Sequence, residues 1–218
     1  MAKSSDSAAV DLIPQKLSLP SLKTAAANCR ACDLWKKGTQ TVFGAGRRRA
    51  KVMFVGEQPG NEEDLTGKPF VGPAGRLFDE ALAQAAIDRT QTYVTNVVKH
   101  FKWEPRGKRR IHKKPNSHEI NACHPWLEAE LALIKPDIVV ALGATAAQAL
   151  LGPKFRVTKQ RGQFFESTFA SPVMATVHPS SILRAPDAET RRLEYKLFVA
   201  DLKKLARVLN GLPSRKQT

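Results

Sequence analysis

KVMFVGEQPG, residues 51–60, decides the architecture. An apolar run that stops at Gly56 is the pattern of a strand buried on both faces, as in a parallel sheet. Gly56 and Gly60 let the backbone approach a ligand closely. The Gly-Lys-Ser/Thr ending of a Walker A loop is missing, which excludes that phosphate cradle. Moving outward, residues 92–98 (TYVTNVV), 137–142 (DIVVAL) and 172–177 (PVMATV) repeat the strand pattern. Residues 163–165 suit a minor strand. Residues 22–28, 74–86, 145–151 and 188–209 have helical spacing, as does a segment to about residue 134 that Asn116 and Glu119 open as a capping box. Strands alternating with helices predict one α/β domain over residues 21–210. Its central sheet is expected to be four-stranded and mostly parallel, with helices on both faces. Residues 1–20 are expected to form a flexible arm and 211–218 a flexible tail. Loops 56–73, 99–116 and 178–187 each follow a strand, so they should converge on one mouth, where such sheets bind ligands.

Composition narrows the partners. The net charge is +15 and the pI about 10.0. Such a field attracts nucleic acid or an anionic membrane. A merely lysine-rich, solvated surface is the plainer reading, but here the charge is concentrated at Arg47-Arg48-Arg49 and over residues 108–114. No apolar run approaches the roughly 20 residues of a bilayer span, and the polar N-terminus lacks a signal-peptide core. A cytoplasmic location is expected, at the nucleoid if the source is bacterial, with no membrane partner. Thiols stay reduced there, so the three cysteines point to metal binding or plain burial.

Cys29-x-x-Cys32 puts two thiolates on one turn, a half-site for zinc or an iron–sulfur cluster. His100 and Cys123 flank one loop-plus-helix segment and complete a four-ligand set. Spacing alone equally allows three unrelated buried thiols and a surface imidazole. His178-Pro179-Ser180-Ser181 with Arg184 offers a stiff turn, two hydroxyls and a guanidinium suited to phosphates. A Gly-x-Ser-x-Gly elbow is absent, which argues against a serine hydrolase. Phe70, between Pro69 and Val71, suits stacking on a base or anchoring its loop in the core. A charge run such as Lys108-Arg109-Arg110-Ile111-His112-Lys113-Lys114 is usually a solvated face. The histidine inside it is more particular, because cationic neighbours hold an imidazole neutral and nucleophilic near pH 7.

Taken in order, Gly-Glu-x-Pro-Gly at 56–60, Lys-Pro-Phe-Val-Gly-Pro-Ala-Gly-Arg at 68–76, Thr-Asn-Val-Val-Lys at 95–99 and His178-Pro179-Ser180 resemble the uracil-DNA glycosylase superfamily, specifically its iron–sulfur family 4 branch. The likeness covers roughly residues 25–209. It implies a [4Fe–4S] cluster on Cys29, Cys32, Cys123 and the position after Val-Val-Lys, which is normally Cys and here is His100. Two departures, Gln58 in place of the usual Ala and the inserted Lys-Arg-Arg-Ile-His, resemble the UdgX-type branch. Members of that branch become covalently attached to uracil-containing DNA through the loop histidine, which by match is His112.

The resemblance also implies a division of labour. Uracil leaves the stack and meets Gln58, Phe70 and Asn96. Phe70 stacks on the base, Asn96 pairs with its polar edge, and Gln58 orders the loop or a phosphate. His178 stabilises charge developing at O2. Ser180, Ser181, Arg184, Lys108, Arg109 and Arg110 grip phosphates. His112 attacks C1′, with Glu57 as orienting partner or base. The expected partner is uracil-containing DNA, single-stranded by preference, met by a monomer. Three rivals make different predictions. A turnover glycosylase releases more than one uracil per protein. A non-catalytic nucleic-acid-binding module shows salt-sensitive binding without a preference for uracil. A zinc-containing nucleotide-binding protein is colourless.

Overall fold

The computed structural model describes residues 9–167 and 171–213. The first part of the expected arm (1–8) and most of the expected tail (214–218) lie outside the described residues. In chain order the elements are α1 (Leu19–Ala26), β1 (Ala45–Gly46), β2 (Val52–Gly56), α2 (Asn61–Thr66), α3 (Pro73–Gln84), β3 (Tyr93–Asn96), β4 (Trp103–Arg106), β5 (Arg109–His112), α4 (Ser117–Ile134), β6 (Ile138–Leu142), α5 (Ala144–Leu151), α6 (Val157–Gln160), β7 (Phe164–Phe165), β8 (Val173–Thr176), α7 (Pro179–Leu183) and α8 (Ala188–Gly211).

The main sheet has six strands in the order β1-β3-β2-β6-β8-β7, which corrects the expected four. The four inner strands are those read from the sequence, and they run parallel. The outer strands, two residues each, pair antiparallel, so the sheet is mixed. Alternate residues supply two cores. Met53, Val55, Val139 and Ala141 face α1, α4 and α5. Val52, Phe54, Val140 and Leu142 face α3, α7 and α8. Strands buried on both sides explain why the inner runs are continuously apolar.

Three expected loops contain structure. Segment 56–73 includes α2, segment 178–187 includes α7, and segment 99–116 folds as the β4–β5 hairpin. Gly107 stands at the first central position of the hairpin turn with φ 59, where a type II′ turn requires a left-handed residue. The N-terminal segment is also ordered from residue 9. Ala9 is buried, and Leu12, Ile13 and Leu17 pack on the core between the Ser and Pro residues that suggested a loose arm. The capping box at α4 is present. Asn116 Oδ1 accepts the Glu119 N–H at 2.9 Å, and Glu119 Oε2 accepts the Asn116 N–H at 2.7 Å.

A charged pair lies inside the first core. Lys99 Nζ donates to Glu130 Oε2 at 2.5 Å, and the two side chains are 1% and 0% exposed. Lys99 Nζ also donates to Thr95 Oγ1 and to the Asn96 carbonyl, both at 2.7 Å. Glu130 Oε1 accepts from the Tyr93 hydroxyl at 2.7 Å and from the Gly44 N–H at 3.0 Å. Burial and the Glu130 carboxylate push the Tyr93 phenol far above its usual range. Every charge here is paired and hydrogen-bonded, as a dry interior demands. Among the described residues, no helix is long and apolar enough to cross a membrane.

Candidate active site

The strand ends and their loops enclose a cleft of about 440 Å³. Glu57 follows β2, Asn96 ends β3, Thr145 follows β6, and His178 follows β8. Glu57, Gln58, Phe70, Asn96, His112, His178, Ser180, Ser181 and Arg184 all line the cleft, so most of the residues singled out from sequence meet there. Gly56 makes room for two of them. A Cβ at Gly56 would stand 2.3 Å from Asn96 Oδ1 and 2.9 Å from Phe70 Cζ. Phe70 itself has φ 58, a left-handed backbone that non-glycine residues rarely adopt. Its ring lies 5.4 Å from Phe78 and 6.1 Å from His178, centroid to centroid. It is therefore at once a core anchor and one wall of the cleft.

His178 caps α7. Its Nδ1 accepts the Ser180 N–H at 3.1 Å and lies 2.8 Å from Ser180 Oγ. A ring nitrogen that accepts a backbone N–H carries no proton, so the neutral imidazole keeps its proton on Nε2 as a donor. Burial lowers the His178 pKa to about 4, helped by Arg184 and His112. Ser181 Oγ donates to the His178 carbonyl at 2.7 Å. Both hydroxyls expected on phosphates thus fix the histidine turn in this structure.

A pH dependence follows. The usual imidazole titrates near 6.5, and His178 in the fold near 4. Below about 6.5 the unfolded chain binds more protons at this residue, so stability falls as pH drops from about 6.5 towards 4. His178→Asn, which keeps a capping oxygen, should flatten a melting-temperature profile over this window. The loss of one proton's linkage is at most about 1.4 kcal/mol per pH unit. A profile as steep as the native one would contradict the assignment.

His112 ends β5, and the hairpin is fastened to the domain at several points. The Gln58 amide donates to the Lys102 and Lys113 carbonyls at 3.2 and 3.0 Å, and its oxygen accepts the Lys102 N–H at 3.2 Å. Arg110 is drawn inward, with Nη1 2.7 Å from Asp64 Oδ2 and Nε 2.7 Å from Asn61 Oδ1. Lys108 and Arg109 stay exposed at the turn. Of the basic run, only His112 and Lys114 line the cleft. His112 Nε2 stands 3.4 Å from Glu57 Oε1, with its side chain 48% exposed. Burial lowers its pKa against the opposing pull of Glu57, and Arg184 lowers it further. The cationic neighbour that helps is thus across the cleft, and partial burial outweighs it. The other Glu57 oxygen, Oε2, accepts the Thr145 hydroxyl.

Residues 43–203 match the model of the Uracil DNA glycosylase superfamily. The chain belongs to that superfamily. It is a DNA glycosylase. The type-4 uracil-DNA glycosylase of Thermotoga maritima is 42% identical over 166 residues, 76% of this chain and 83% of that protein. The type-4 enzyme of Archaeoglobus fulgidus is 37% identical over 185 residues, 82% and 86% of the two chains. That of Sulfurisphaera tokodaii is 34% identical over 196 residues, 86% and 83%.

In this glycosylase the thiols of Cys29, Cys32 and Cys123 are unpaired and share one neighbourhood. Cys123 is pushed up to about 12, chiefly by burial, with Cys29 and Cys32 adding to the shift. Burial also raises Cys32, and Cys29 contributes. The Lys99 N–H donates to Cys123 Sγ at 3.2 Å, and Trp126 Nε1–H donates to Cys29 Sγ at 3.3 Å. His100 is buried beside Gly38, and burial brings its pKa to about 4 against the pull of Asp64. Among the described residues, no three Cys, His, Asp or Glu side chains close on a single-ion position.

Thr145 and Glu63 are among the cleft residues that were not anticipated. Thr145 entered the sequence reading only as the start of the helical segment 145–151. Glu63 sits in α2, and its Oε1 accepts the Gly72 N–H at 2.8 Å. A loop reading of residues 56–73 gave Glu63 no particular direction.

Proposed function

We propose that this glycosylase excises uracil from DNA, with single strands preferred, and remains bonded to the abasic sugar through His112. The observation that carries the reading is the pairing of His112 Nε2 with Glu57 Oε1, 3.4 Å apart at the mouth of a cleft built of Phe70, Asn96 and His178. The extruded uracil stacks on Phe70, and the Asn96 amide offers a donor and an acceptor to its O4 and N3–H edge. His178 Nε2–H points its donor at the charge growing on O2. The neutral His112 ring turns one N–H to Glu57 and attacks C1′ with the lone pair of its other nitrogen. The bond from that nitrogen to C1′ forms as the C1′–N1 bond breaks, and that electron pair leaves with uracil. The alkylated ring is an imidazolium beside the Glu57 carboxylate, and loss of its remaining N–H proton to Glu57 leaves a neutral ring. An alkylated imidazole is a poor leaving group, so the bond persists. Arg184 and the exposed Lys108 and Arg109 track the phosphates, while Gln58 and Arg110 hold the hairpin that presents His112.

The residues around Cys29 fit a [4Fe–4S] cluster, with three thiols in one neighbourhood and two N–H groups aimed at sulfur. Cys29, Cys32 and Cys123 would hold it, with His100 as the fourth ligand. When bound, it supplies a rigid tie between the Cys-x-x-Cys turn and α4. Unpaired thiols and the charge of +15 suit a protein working on DNA in the cytoplasm, at the nucleoid in a bacterium.

The names of the relatives favour a second reading, a turnover uracil-DNA glycosylase. The two differ in one count. With DNA in excess, the covalent reading expects one uracil released per protein. Release well beyond one equivalent would establish turnover.

A further inference from the structure

We infer that Thr145 is a positioning residue of this reaction, its hydroxyl holding one oxygen of Glu57 so that the other faces His112. The inference rests on the reading above of Glu57 and His112.

Glu57 is gripped from two sides. Oε2 accepts the Thr145 hydroxyl, and Oε1 faces His112 Nε2 at 3.4 Å. The terminal torsion of a glutamate is broad and roughly two-fold, so a carboxylate held at one end only rotates freely. The two grips differ in rigidity. His112 comes from a hairpin outside the main sheet and is 48% exposed. Thr145 is 4% exposed and is the second residue of α5. The start of α5 is tied to the sheet, since the Gly143 N–H donates to the Thr176 carbonyl at 2.8 Å. Thr145 therefore gives Glu57 the position of the core, and Glu57 passes it to the more exposed His112.

A threonine inside a helix usually turns its hydroxyl to a carbonyl one turn back. Thr145 is too close to the start of α5 to have such a carbonyl within the helix, and its hydroxyl proton goes to Glu57 instead. A hydroxyl is required for this contact, and the methyl group is packing. Valine keeps the shape and loses the donor, whereas serine keeps the donor and loses the methyl.

The test compares Thr145→Val with Thr145→Ser in single-turnover assays on a uracil-containing single strand, reading both uracil release and adduct formation. Affinity is read separately on a strand with thymine in place of uracil. Thr145→Val should slow uracil release about 10- to 100-fold, the loss of one hydrogen bond to a charged group. Its affinity for the thymine strand should stay within about twofold, since Thr145 makes no phosphate contact in this reading. Thr145→Ser should restore most of the rate. A valine variant at native rate would overturn the inference, as would a serine variant as slow as valine, which would mean packing alone. Should valine not fold, Thr145→Ala takes its place in the same comparison. If the native protein releases uracil without forming an adduct, the role of His112 falls, and the contrast in release rate still decides Thr145.

Discussion

Uracil-containing single-stranded DNA mixed with this protein is expected to give a protein–DNA band that survives denaturing electrophoresis, and His112→Ala is expected to abolish it. The loss should be complete rather than partial, because the band depends on one covalent bond. The cleft keeps its other parts in that variant. Phe70 and Asn96 still line it, and His178 Nδ1 still accepts the Ser180 N–H. A small residue at 112 also leaves space beside Glu57 for water. His112→Ser is therefore expected to release uracil repeatedly and to leave free abasic DNA. A band of native intensity from His112→Ala would remove the covalent reading. A His112→Ser protein that forms no abasic product would contradict the idea that the ring occupies the place of the attacking water.

The second large effect is on stability. Lys99→Met should destabilise the protein by about 3–5 kcal/mol, the usual cost of stripping one partner from a buried pair. Glu130, at 0% exposure, would keep hydroxyl and amide donors from Tyr93, Thr95 and Gly44 and lose the cation it pairs with. At roughly 2–4 °C per kcal/mol for a domain of this size, the melting temperature should fall by about 6–20 °C. Replacing both partners, Lys99→Met with Glu130→Leu, should recover part of the loss, since no charge is then left unpaired. A single variant that melts with the native protein would show that the pair is dispensable. Excision should fall in Lys99→Met as well, because Lys99 Nζ also holds the Asn96 carbonyl at 2.7 Å.

The inner sheet was legible because each of its strands is buried on both faces and written as an unbroken apolar run. The two outer strands are two residues long, too short for any periodic signal. The hairpin was hidden by its chemistry. Trp103-Glu104-Pro105-Arg106 and Arg109-Arg110-Ile111-His112 show no alternation of apolar and polar residues, because this ribbon buries little. The one local clue was Gly107, at a turn position that favours it. Side-chain partners were less legible still. Arg110 reads as one cation in a run, yet it is paired with Asp64, which lies in a different element. Ser180 and Ser181 read as phosphate ligands, yet their hydroxyls close the turn around His178. The cleft residues themselves were legible because ordered motifs place them at strand ends, and strand ends in a parallel sheet share one edge.

The central claim is tested most directly by weighing the peptide that contains residue 112. The protein is incubated with uracil-containing single-stranded DNA, treated with nuclease and protease, and the fragments are sequenced by mass. The account predicts a His112 peptide heavier by a uracil-free deoxyribose remnant, with fragment ions placing that mass on the imidazole. A His112 peptide of unmodified mass after uracil has been released, or the sugar on another side chain, would contradict it.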